Sequence, residues 1–197
     1  MKAPRIIKFI FRTFLAIALV TSIFAYVQFR LAPQTYTVGV LAEIDENSTY
    51  NALYIQFILA FADSNDMVII RVDTPGGLVS QAEDIIHAMN TSDATTISIN
   101  AGRAASGGAL IAVSADIMIA EAGTYYMFHR PYYKSKGIYK MSSITSRGYQ
   151  FTDTVMQTKA FKYMTEGERE DYILGKDVYI LGIDLEGRAA QSKPGYN

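Results

Sequence analysis

The sequence of 197 residues predicts an α/β domain with a largely parallel sheet. Three observations carry that prediction. Residues 67–72 (M-V-I-I-R-V) form a short, continuous apolar run of the kind that fills a central parallel strand. Strand-like and helix-like segments alternate along the chain, the pattern of a sheet crossed by helices. Two of the strands run on into glycine turns, Pro75-Gly76-Gly77 and Ser106-Gly107-Gly108.

The N-terminal segment stands apart from that domain. Lys2, Arg5, Lys8 and Arg12 precede a charge-free apolar run over residues 13–29. Its length is at the short end of what spans a bilayer. After Arg30 no Lys or Arg follows until Arg71, so the cation bias places the N-terminus in the cytoplasm and the domain across the membrane. Residues 1–30 therefore read as a basic tail and single-pass transmembrane anchor. A cleavable signal peptide is the rival, but cutting after Ala25 puts bulky Ile23 where a small residue is preferred. Residues 31–36, with Pro33, read as a linker, 37–190 as the domain and 191–197 as a loose polar tail.

Within the domain, residues 37–44 are β-rich and form a first strand. Asp45-Glu46-Asn47-Ser48 offers turn and N-cap residues before a helix over 50–62. That helix is apolar nearly all round and needs burial on more than one side, by the sheet or by a neighbouring subunit. The strand over 67–72 leads to a helix over 78–89, with Leu78, Ala82, Ile85, Ile86 and Met89 on one face; His87 lies off it and reads as a surface residue. Residues 95–100 alternate as a strand, 106–114 read as a helix, and 117–120 and 124–128 as strands. Residues 132–137 look like a loop, and 141–164 like a long helix interrupted near Gly148. Thr165-Glu166-Gly167-Glu168 resembles a capping sequence for a helix ended by Gly175, and 177–180 are extended.

Composition narrows the chemistry. Half of the residues are hydrophobic and 19% charged, which excludes a disordered chain. A net charge of -1 gives no electrostatic reason to bind nucleic acid. There is no cysteine, which removes thiolate catalysis and cysteine-held metals, and two histidines without a metal-site spacing argue against a metal centre.

One serine stands out. Ser106 opens a candidate helix after a strand, where free N–H groups and the helix dipole favour developing negative charge. Gly107 and Gly108 let a substrate backbone approach, and Pro75-Gly76-Gly77 leaves the C-terminal end of another strand, where α/β folds place ligands. A serine hydroxyl needs a base and an oxyanion site to act as a nucleophile; His129, ending the strand over 124–128, is the candidate base.

Asp73-Thr74-Pro75-Gly76-Gly77, Ala104-Ala105-Ser106-Gly107-Gly108-Ala109 and Met127-Phe128-His129-Arg130-Pro131, in this order, resemble the ClpP-like serine peptidases of the ClpP/crotonase superfamily. The resemblance covers residues 37–184 and implies repeated β-β-α units around the sheet. It implies Ser106 as nucleophile, His129 as base, and the Gly77 and Gly107 N–H groups as oxyanion hole, with no metal or organic cofactor. A family aspartate two residues before an aromatic matches Asp177-Val178-Tyr179; Asp171 and Glu170 are the alternatives. The segment after Asp177 departs from the family, with only Gly182-Ile183-Asp184 echoing it. Such relatives assemble as homo-oligomeric rings and cut unfolded peptides.

Asp-Thr-Pro-Gly-Gly and Ala-Ser-Gly-Gly are also similar to membrane-bound signal peptide peptidase A and its stomatin-cleaving kin. Those use a serine–lysine dyad, for which Lys159 is the lysine here. A lysine base must be desolvated, and Lys159 lies near Lys162 in a mixed segment that reads as solvated. The combined reading is a membrane-anchored serine endopeptidase acting on unfolded or membrane-derived peptides. An acyl-coenzyme A enzyme of the crotonase branch and a catalytically silent scaffold are the other classes. His129→Ala is expected to lose peptide cleavage by several orders of magnitude and Lys159→Ala to retain it. Kinetics showing the opposite pattern select the dyad.

Overall fold

In residues 67–74 the even positions are apolar or threonine, and they face one side of a strand. This strand, β2 (Met67–Thr74), buries Val68, Ile70, Val72 and Thr74 completely. On its other face Arg71 pairs with Glu121 at 2.8 Å. The strand is thus central and parallel, but fully buried on one face only. The structure is a computed structural model and describes residues 3–45, 49–136 and 138–191.

Two compact units divide the chain, residues 1–34 and 35–197. In the first, helix α1 (Ala3–Leu31) contains Phe9–Gln28, a segment of 20 residues long and apolar enough to cross a membrane by length and composition. Leu31 still belongs to this helix and Thr35 already belongs to a strand, so the stretch outside both is shorter than the expected linker.

The second unit holds β1 (Thr35–Val40), α2 (Thr49–Phe61), β2, α3 (Val79–Thr91), β3 (Thr95–Ala105), α4 (Gly107–Ser114), β4 (Ile117–Ala120) and β5 (Tyr125–Phe128). These follow the predicted alternation. The main sheet runs β1-β2-β3-β5-β8, with β8 (Val178–Leu181) antiparallel to β5, β4 beside β3, and the other pairs parallel. Asp45 is described, whereas the turn residues Glu46, Asn47 and Ser48 and the tail over 192–197 lie outside the described residues. The buried faces of α2 (Ala52, Ile55, Ile58, Leu59) and α3 (Ala82, Ile85, Ile86, Met89) join the sheet in one core. Leu78, expected on that face, is the N-cap of α3 and is exposed.

Strand β3 is longer than its alternating sequence predicts because two neighbours share it. Ile97–Asn100 pairs with β4, and Arg103–Ala105 pairs with β5. Asn100, completely buried, stitches the change of partner. Its Nδ2 donates to the Tyr125 carbonyl at 2.9 Å, its Oδ1 accepts from the Gly102 N–H at 3.3 Å, and its own carbonyl accepts from the Glu121 N–H at 2.9 Å. Helix α4 is buried at every position and lies so close to β2 that a Cβ on Gly108 would overlap Thr74 Cγ2.

The second half departs further from expectation. Residues 132–137, read as a loop, contribute to an antiparallel ribbon of β6 (Tyr132–Ser135) and β7 (Ile138–Met141), which pair with each other and with no other strand among the described residues. The long helix expected over 141–164 begins only at α5 (Arg147–Val155), where the Ser146 hydroxyl accepts from the Tyr149 N–H. Gly148 sits in its first turn and interrupts nothing. The irregularity comes later, as a π-helical turn (Met156–Ala160) followed by a 3₁₀ turn (Phe161–Tyr163). Helix α6 (Glu166–Ile173) carries the expected capping box between Thr165 and Glu168, and Gly175, at φ 80°, follows it. Helix α7 (Gly182–Gln191) closes the described chain.

Asn100→Ala leaves the Tyr125 carbonyl and the Gly102 N–H without their partner inside the protein. An unsatisfied buried group costs roughly 1–3 kcal/mol, so denaturation should show a loss of at least that size. A variant as stable as the wild type would show that the side chain is not what holds the change of partner.

Candidate active site

Ser106 follows the last residue of β3 and caps α4 with φ 53° and ψ -121°. That left-handed backbone is costly for a residue with a Cβ and persists only where the surroundings hold it. Here the Ser106 N–H donates to the Met127 carbonyl on β5 at 2.8 Å, and its carbonyl accepts from the Leu110 N–H at 3.1 Å. The serine is thereby fixed at the sheet's C-terminal rim, half-buried, and lines a cleft.

The second glycine turn packs directly on it. Gly76 and Gly77 have φ of 92° and 147°. A Cβ on Gly76 would fall 2.5 Å from Ser106 Cβ and 2.6 Å from the Ala105 carbonyl, and one on Gly77 would overlap the Ile44 carbonyl. The turn is pinned from outside by Ile44, whose N–H donates to the Gly76 carbonyl at 2.8 Å and whose carbonyl accepts from Leu78 at 2.6 Å. The Thr74 hydroxyl also accepts from the Gly76 N–H at 3.0 Å. Neither the Gly77 nor the Gly107 N–H donates to any group among the described residues.

His129 follows the last residue of β5. Together with Ser106, Gly76, Gly77, Pro75, Glu43 and Tyr132 it lines a cleft of about 320 Å³. A narrower apolar slot opens beside it, bounded by Ser106, His129, Leu110, Phe128, Thr152 and Met156. Met156 reaches this slot from the π-helical turn, a feature often associated with functional sites. The His129 ring stacks on Tyr132 with centroids 5.1 Å apart. Sequence reasoning missed Tyr132; its position just after His129-Arg130-Pro131 is the only signal for it. No hydrogen bond joins Ser106 to His129 among the described residues.

Burial lowers the His129 pKa, and the Asp177 carboxylate and a backbone hydrogen bond at Arg130 oppose that shift. The ring is therefore neutral at neutral pH, the state in which it can accept a proton. The sheet explains why Asp177 acts on it. Phe128 pairs with Val178 at the end of the β5–β8 ladder, so His129 and Asp177 stand one step beyond the same rung. Asp177 is exposed. Of the alternatives, Asp171 is held by Lys176 at 2.6 Å and Glu170 is exposed on α6. Lys159 lies on the π-helical turn, half-buried, and lines neither the cleft nor the slot.

A family model for Clp protease matches residues 25–167. The chain belongs to the Clp protease family. Among solved structures, a point mutant of ClpP1 from Listeria monocytogenes matches with a TM-score of 0.57 and 18% identity, covering 77% of this chain and 86% of that one. At that identity the likeness shows the fold, a mostly parallel ClpP-type α/β sheet. No curated protein matches this Clp-family chain.

The electrostatics give a signed prediction. If His129 is the base, the rate of serine modification rises with pH through a pKa below the ordinary 6.5. Asp177→Asn removes a charge that favours the imidazolium, so the acid limb of the profile moves to still lower pH. Asp171→Asn leaves the limb in place. A limb that moves upward in Asp177→Asn, or only in Asp171→Asn, assigns the carboxylate elsewhere.

Proposed function

We propose that this Clp-family chain is a membrane-anchored serine endopeptidase. The observation that carries the reading is the strained Ser106 backbone, held in the same cleft as His129 and against the Gly76-Gly77 turn. His129 takes the Ser106 hydroxyl proton as Oγ attacks a peptide carbonyl. The Gly77 and Gly107 N–H groups, which have no partner among the described residues, receive the oxyanion of the tetrahedral intermediate. The protonated ring then gives its proton to the leaving amine, and water repeats the sequence on the acyl-enzyme. Asp177 stabilises the imidazolium and sets the ring's orientation. The side chains of Ser106 and His129 must close on one another for the first step, as catalytic contacts commonly tighten when substrate binds.

The apolar segment Phe9–Gln28 supports the anchor, and the cations before it support a domain on the non-cytoplasmic side. Substrates are then unfolded or membrane-derived peptides. Assembly into a homo-oligomeric ring follows the habit of the family. No metal or organic cofactor enters these steps.

A fluorophosphonate probe tests the nucleophile. Wild-type protein is expected to be labelled and Ser106→Ala to be silent. Equal labelling of both assigns the reactive serine elsewhere. A folded wild-type sample that never labels supports the scaffold.

A further inference from the structure

Among the described residues, Glu43 is the one acidic side chain that lines the Ser106 cleft, and no lysine or arginine lines the cleft or the slot beside it. Glu43 is exposed, and its carboxylate makes no hydrogen bond or salt bridge among the described residues. An unpaired glutamate on an open surface would mean little. This one borders the space where a substrate has to lie, and the backbone holds it there.

The holding is done by the residues on either side. The Ala42 carbonyl accepts from the Thr74 hydroxyl at 2.6 Å. Ile44 bridges to Gly77 in parallel register, with its N–H donating to the Gly76 carbonyl at 2.8 Å and its carbonyl accepting from the Leu78 N–H at 2.6 Å. Successive side chains of an extended segment point to opposite sides. Ile44 is buried in the core, so Glu43 is turned outward, over the cleft. The segment that pins the Gly76-Gly77 turn therefore also presents a carboxylate beside it. That carboxylate is not a further partner of the base, because the charge that acts on the His129 ring is that of Asp177. Nor does it line the slot, whose walls include Leu110, Phe128, Thr152 and Met156.

We propose that Glu43 is a specificity-determining residue that pairs with a lysine or arginine of the substrate, next to an apolar residue seated in the slot. This rests on the reading of Ser106 as a peptidase nucleophile. Cleft and slot meet at Ser106 and His129, so the cation lies within about two residues of the apolar side chain, at roughly 3.3 Å per extended residue. The same carboxylate rejects an aspartate or glutamate there, because like charges repel in a site that offers no cation. A free polyamine or inorganic cation satisfies the charge but leaves the apolar slot unfilled.

The test uses the full-length protein in detergent micelles and quenched fluorogenic peptides with a single leucine as the large apolar residue. Lysine, glutamine or glutamate occupies, in turn, each of the two positions on either side of it. The readout is the ratio of kcat/KM between peptides within each protein, so a general loss of rate cancels. Wild type should prefer lysine to glutamine by about two- to fivefold at one position, the range of an exposed ion pair, and should disfavour glutamate there. Raising the salt concentration should shrink the preference. Glu43→Gln should abolish it and Glu43→Lys should invert it, while the acid limb of the pH profile stays in place in Glu43→Gln. Equal cleavage of all the peptides by wild type, or a preference that ignores salt, overturns the subsite and leaves the peptidase standing. A lysine preference kept in both variants overturns the assignment to Glu43. An acid limb that moves in Glu43→Gln makes the residue a partner of His129 instead. Fluorophosphonate labelling of Ser106 without cleavage of any peptide also overturns the subsite. A folded wild type that neither labels nor cleaves overturns the peptidase and the subsite together.

Discussion

The hydrogen bond from the Ser106 N–H to the Met127 carbonyl is the interaction on which the site's geometry depends. It joins the end of β3 to β5 and holds a side-chain-bearing residue in a backbone region that glycine prefers. Everything around it serves the same constraint. Gly76 approaches where no Cβ fits, Ile44 pins the turn that Gly76 belongs to, and buried α4 starts immediately after the serine. The strain is borne by a sheet whose central strands are buried, which is where a fold can hold it.

The sheet also explains the arrangement of the three candidate groups. Ser106 follows β3, His129 follows β5, and Asp177 precedes antiparallel β8, so all three stand on one rim of three neighbouring strands. Their separation along the chain is large, but their separation across the sheet is a strand or two. The change of partner along β3 makes this possible: β4 occupies the first half of its edge and leaves the second half to β5. Asn100 marks the boundary: its buried side chain bonds to Tyr125 of β5 and to Gly102, and its carbonyl accepts from Glu121 just after β4.

Much of this was legible in the sequence, for identifiable reasons. The strands over 67–72 and 117–120 follow from short apolar runs, the buried face of α3 from helical periodicity, and the cap at Thr165 from residue type. The two glycine turns revealed where strands end. Other features have no local signal. Ala101-Gly102-Arg103-Ala104-Ala105 has no β-forming pattern and is extended because β2 and β5 pair with it. The ribbon hid in Tyr132-Tyr133-Lys134-Ser135-Lys136-Gly137 because it faces no core, so no alternation was imposed on it. The π-helical turn at Met156 follows no period that differs visibly from that of an ordinary helix. Only family likeness set Asp177 apart from Asp171; in the structure the β5–β8 register brings Asp177 to the rim one step beyond the Phe128–Val178 rung.

Strand β8 has a consequence for synthesis. It is the last strand among the described residues, and until it pairs, β5 has an open edge beside His129. Ribosomes add about 5–20 residues each second, so the nascent chain carries Ser106 and His129 for seconds before the far wall of their rim exists. The order of elements along the chain thus acts as a delay: the rim is completed only after the segment between His129 and Val178 has been translated.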